Sequence, residues 1–102
     1  MTVTDPSSPI TKLAYRVWVP VGRIPPIGAL QMKGQVTMLN YHFRVSAERL
    51  GVVLDTLITR TEWPEGKPGD CRFVIEAPAA EETLSMALDD AVRLTGLRAE
   101  RC

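Results

Sequence analysis

The stretch VTMLNYHFRV, residues 36–45, alternates with a two-residue period. Read as a strand, it places Thr37, Leu39, Tyr41, Phe43 and Val45 on one face and Val36, Met38, Asn40, His42 and Arg44 on the other. The first face reads as core. The second mixes apolar, polar and cationic groups and holds the only histidine of the chain.

Downstream, Ser46 suits a helix N-cap and Glu48 its first turn, where a carboxylate complements the helix dipole. The spacing of Leu50, Val53, Leu54, Leu57 and Ile58 predicts a buried helical stripe running to about Thr59. A brief strand over 59–63 and a Pro/Gly turn over 64–70 follow. Residues 71–77 alternate again, with Cys71, Phe73, Ile75 and Ala77 facing inward and Arg72, Val74 and Glu76 outward. Pro78 opens a second helix, Glu81 and Glu82 occupy its first turn, and Ala80, Leu84, Ala87, Leu88, Ala91 and Leu94 or Thr95 form its buried stripe. Gly96 closes it, and residues 97–101 make a last short strand.

Upstream, residues 12–19 alternate Leu13, Tyr15, Val17 and Val19 against Lys12, Ala14, Arg16 and Trp18, which predicts a strand. Residues 21–29 read as a stiff loop around Pro25 and Pro26, and Leu30 to Gln35 extend the central strand in a register left open by a bulge at Gly34. Residues 1–11 read as a flexible tail, leaving 12–102 as a single α+β domain. From Val36 onward the order is strand, helix, strand, strand, helix, strand. That predicts a ferredoxin-like antiparallel sheet with two helices on one face, the strand at 12–19 being an extra one at an edge or in a second subunit.

Composition bounds what such a domain does. A chain of 102 residues buries roughly 60–70% of its unfolded surface without staples. The distant Cys71 and Cys102 therefore read as free thiols of a reducing compartment rather than a disulfide or metal framework. No apolar run approaches a membrane span and the N-terminus lacks a secretory pattern, so the expectation is a cytoplasmic protein with no membrane partner. The net charge of zero hides a basic half, six cations against two acids in residues 1–50, and an acidic half, six against ten in residues 51–102. Neutrality argues against nucleic acid held by bulk electrostatics, while the asymmetry suits attraction between halves or between copies.

The segment from Gly69 to Arg101, with Gly69-Asp70 before its strand, Glu76-Ala77-Pro78 at the strand's end and Gly96 closing the helix, resembles the C-terminal β-α-β of the dimeric α/β-barrel superfamily. That superfamily includes GYD-type proteins and small antibiotic-biosynthesis-type monooxygenases. The resemblance implies two subunits packing their open sheet faces together, with any active site between them.

The residues independently point to the same face. With helices on one side, the other side would show Arg16, Trp18, Met38, Asn40, His42, Arg44, Arg72 and Val74, together with Val36 and Glu76, a patch too apolar to stay uncovered. A homodimer is the expected cover, giving a small binding or assembly module; the alternative within one chain is residues 1–35 folded back over the face. A small-molecule ligand inside the dimer would find an apolar wall in Trp18, anion holders in the arginines and a proton carrier in His42. Were the module an enzyme, His42 and Asn40 would carry a cofactor-independent reaction, because no nucleophile with base and acid and no phosphate-binding loop is present. A sheet platform for single-stranded nucleic acid is the third reading, disfavoured by few aromatics and no net charge. No metal site is expected.

Overall fold

The computed structural model describes residues 9–19, 27–63 and 69–102. Its elements are β1 (Thr11–Trp18), α1 (Ile27–Arg49), a 3-10 turn at Leu54–Thr56, β2 (Ile58–Glu62), β3 (Asp70–Ala77), α2 (Glu81–Thr95) and β4 (Arg98–Arg101). The strands form one antiparallel sheet in the order β2-β3-β1-β4. The α+β class expected from the sequence is what the chain adopts.

Residues 36–45 are helical, which corrects the central expectation. Val36, Leu39, Phe43 and Ala47 are buried at helical spacing, while Tyr41, expected beside Phe43, is 59% exposed. The strand pattern misleads because Leu39 and Phe43 are four apart, a separation that keeps two side chains on one face in either a strand or a helix. The preceding ALQMKGQ, residues 29–35, consists mainly of strong helix formers, and their cooperativity carries the β-branched and aromatic residues along.

The helix expected over 46–59 is absent for a related reason. Ser46 and Glu48 lie in the last turns of α1, which stops at Gly51. Gly51 has φ +94°, its N–H bonds the carbonyl of Glu48 and the N–H of Val52 bonds that of Ala47, both at 3.0 Å. This pair of reversed bonds is a glycine-terminated helix end, with Ala47 before it and Val52 after it both buried in the core cluster. Of the expected stripe, Val53 and Ile58 are exposed and Leu57 is buried. Arg44 holds the following 3-10 turn, donating from Nη2 to the carbonyl of Leu54 at 3.2 Å and from Nη1 to that of Leu57 at 3.4 Å.

The strand at 12–19 is not an extra edge strand. It is β1, in the middle of the sheet between β3 and β4. Tyr15 and Phe73 are cross-strand partners on one face; the Tyr15 hydroxyl meets Ser85 of α2 at 2.9 Å, and Phe73 meets Phe43 of α1 edge-on with centroids 6.0 Å apart. Both helices therefore cover the same face, and one core cluster joins them to the sheet. The second helix begins at Glu81, after Pro78, and ends at Gly96, whose φ is +73° and whose N–H bonds Val92. Of the expected tail, loop and turn, residues 1–8, 20–26 and 64–68 lie outside the described residues.

Candidate functional site

The expected site residues divide between two places. Arg16, Trp18, Arg72 and Val74 lie on the open face of the sheet, where the cross-strand register puts them. Met38, Asn40, His42 and Arg44 lie on α1, on the other side of the molecule, so the single patch anticipated from alternation does not exist.

The open face is a lattice of ion pairs. Arg16 grips the nearly buried Asp70 carboxylate through Nε at 3.0 Å and Nη2 at 2.7 Å. These hydrogen bonds raise the Arg16 pKa still further above its ordinary value, and burial opposes the shift. Lys12 and Arg60 meet Glu76, Arg60 and Arg72 meet Glu62, and Arg98 meets Glu100, all within 4.0 Å. Trp18 is half-buried, with the guanidiniums of Arg16 and Arg98 over its ring at 4.4 and 4.5 Å. Val74, expected to be exposed here, is 1% accessible. Its register neighbours are Ala14 and Arg60, and the aliphatic stems of the long side chains shield it. Val36, also expected on this face, belongs to the core-facing side of α1 and is buried.

On α1, successive faces do different work. Asn40 accepts a hydrogen bond at Oδ1 from Thr59 Oγ1 of β2 at 2.9 Å, and Arg44 holds the 3-10 turn. Both serve the fold. His42 points elsewhere: two residues on a helix are about 200° apart, so it cannot share a site with Asn40. It lines the seam between α1 and α2.

Two recesses lie along that seam and meet at His42 and Leu94. The first, about 570 Å³, is bounded by Gly34, Gln35, Met38, Thr95 and Leu97 as well as the shared pair. The second, about 500 Å³, adds Tyr41, Val45, Ser46, Arg49, Asp90 and Arg93. Met38, Tyr41 and Leu94 are 50, 59 and 65% exposed. Across the seam Ser46 donates to Asp90 Oδ2 at 3.0 Å, and Arg93 also binds Asp90. The His42 ring stands edge-on to Tyr41 with centroids 5.3 Å apart.

No family model, curated protein or solved structure matches the chain. Its chemistry has to be read from these side chains alone. Ser46, His42 and Asp90 share a recess, but the serine hydroxyl donates to the aspartate and not to the histidine, so these three are not arranged as nucleophile, base and orienting acid. Among the described residues no group of His, Cys, Asp and Glu is arranged to hold a metal ion, and no helix is long and apolar enough to cross a membrane. Cys71 faces the core, where burial, with a smaller contribution from the Asp70 charge, pushes its thiol up to about 11 and keeps it protonated at neutral pH.

The sequence signal for the seam was present. Read at helical spacing, residues 34, 35, 38, 42, 45, 46 and 49 form one stripe beside the core stripe. Met38 and His42 belong to that stripe and not to the sheet face, and Leu94, which the helical period of α2 offers with Thr95 as part of the buried stripe, is instead 65% exposed on the seam, because it lies at the end of the helix beyond the core.

Proposed function

We propose that this chain is a small binding module without chemistry of its own, and that its ligand site is the α1–α2 seam at His42. The observation that carries this reading is the pair of adjoining recesses, whose combined size and mixed apolar and polar lining suit a small organic molecule. An enzyme built on His42 and Asn40 is not supported, because the two residues serve different surfaces.

Amide chemical-shift mapping against a panel of small organic fragments tests the reading. Shifts are expected to concentrate at Met38, His42, Leu94 and Leu97, and to disappear in Met38→Glu and Leu94→Glu, both exposed positions whose charge the fold tolerates. Fragments that collect on the sheet, or perturb no site, would refute it.

The β-α-β-β-α-β element order and the β2-β3-β1-β4 sheet support a ferredoxin-like assignment, and two free cysteines suit a reducing cytoplasm. A second reading, a homodimer through the open sheet face as in the dimeric α/β-barrel superfamily, is favoured by one feature, the apolar groups Trp18, Ala14 and Val74 on that face, with Arg16 and Arg72 between the tryptophan and the other two. Against it stands the cost of desolvating charges that already have partners. The same pairing disfavours a nucleic-acid platform, since phosphates would have to compete with resident carboxylates. Light scattering decides the dimer: association lost in Trp18→Glu sustains it, and two identical monomers end it.

A further inference from the structure

We infer that the seam takes an amphiphilic monoanion, specifically a free medium-chain carboxylate, with its head among Arg49, Arg93 and His42 and its chain laid over Leu94 toward Met38 and Leu97. This rests on the binding reading above and adds the ligand's chemistry.

The two recesses differ in character along the seam. The end at Met38, Leu94 and Leu97 is apolar, and Gly34 leaves it open: a methyl group built at Gly34 would meet nothing within 4 Å. The other end is cationic. Its charged groups are Arg49 and Arg93 against Asp90, with His42 and the Tyr41 hydroxyl beside them. Asp90 is engaged by Ser46 and Arg93. Arg49 and His42 make no ion pair or hydrogen bond among the described residues, so their donors remain for a ligand.

Charge count sets the class. Two arginines against one aspartate leave a single positive charge, enough to attract a carboxylate, whereas a dianion such as phosphate would meet Asp90 in the same recess. Length is compatible: Met38 and Arg49 are separated by about 16 Å along the helix axis at the usual rise per residue, a distance covered by an extended medium-chain acid together with the reach of the arginine side chain. An arginine at one end and apolar walls at the other also fix the ligand's direction.

The test is titration of the full-length chain, followed by calorimetry and amide shifts, with decanoate below its aggregation concentration, with decanol and with decyltrimethylammonium. Decanoate is expected to bind saturably at the seam and the cation not at all. Arg49→Gln, a change at an exposed position, should weaken decanoate about tenfold while leaving decanol unaffected. Gly34→Leu, which fills the apolar recess, should weaken both. Decanol or the cation binding the seam as tightly as decanoate would overturn the assignment of class while leaving the seam as the site. Failure of every probe to perturb the seam would overturn both. Association with vesicles of anionic phosphatidylglycerol in the absence of decanoate binding would show a membrane surface, not a free acid, to be the source of the head group, and would also overturn the proposal.

Discussion

Phe43→Ala is expected to destabilise the chain by about 3–5 kcal/mol, whereas Tyr41→Ala, two residues earlier, should change stability by less than about 1 kcal/mol. Phe43 is wholly buried, pressed edge-on against Phe73 and surrounded by the core that α1, α2 and the sheet share. Removing its ring takes away the transfer energy of a large apolar side chain and leaves a hole that the flanking β-strand and helix cannot close without moving together. Tyr41 stands on the opposite flank, its only ring contact among the described residues being the edge of His42. Urea denaturation of the two variants measures the contrast directly. Equal losses would mean that the two side chains share an environment, as they would on a strand, and that residues 36–45 are not helical.

The same pair of residues explains how much was legible in the sequence. Alternation marks β1 and β3 almost to the residue: in β1 Leu13, Tyr15 and Val17 are buried while Lys12 and Arg16 are exposed, and in β3 Cys71, Phe73, Ile75 and Ala77 are buried while Arg72 is exposed, although Val74 on the outer face is buried as well. It identified α2 and its end at Gly96 because Leu84, Ala87, Leu88 and Ala91 fit only a helical period. It failed over 36–45, where β-branched and aromatic residues have strand propensity and the period is ambiguous, so that the outcome is set by the longer helical context and by packing on the sheet. That one error displaced the site. Alternation puts Met38 and His42 on a sheet face, whereas both line the seam, where Leu94 adjoins both and Arg93 shares a recess with His42; these partners come from α2, more than fifty residues away, and no local pattern encodes that meeting. The ion-pair lattice was equally hidden, since Arg16 and Arg72 read as free cations until the register sets Asp70 and Glu62 beside them.

The two glycines of this region should respond with opposite signs. Gly51→Ala is expected to lose roughly 1–2 kcal/mol, because φ +94° is a conformation that a side chain disfavours. Gly34→Ala should gain roughly 0.5–1 kcal/mol, because that position is inside α1 with open space around it and alanine has less backbone freedom to lose on folding. Asparagine at 51 should fall between glycine and alanine, since its side chain tolerates the left-handed region. Thermal melts of the three variants provide the measurement, each kcal/mol corresponding to a shift of about 4–8 °C for a domain of this size. The consequence reaches beyond local strain. Reversal at Gly51 is what turns Val52 into the core, brings Leu54 and Leu57 within reach of Arg44 and delivers β2 to the edge of β3. Were the helix to run on to Thr59 instead, a left-handed residue at 51 would have no place in it, and Gly51→Ala would stabilise the chain as Gly34→Ala does. The sign of that one substitution therefore separates the two ways of folding residues 36–59, and with them the two surfaces on which His42 can lie.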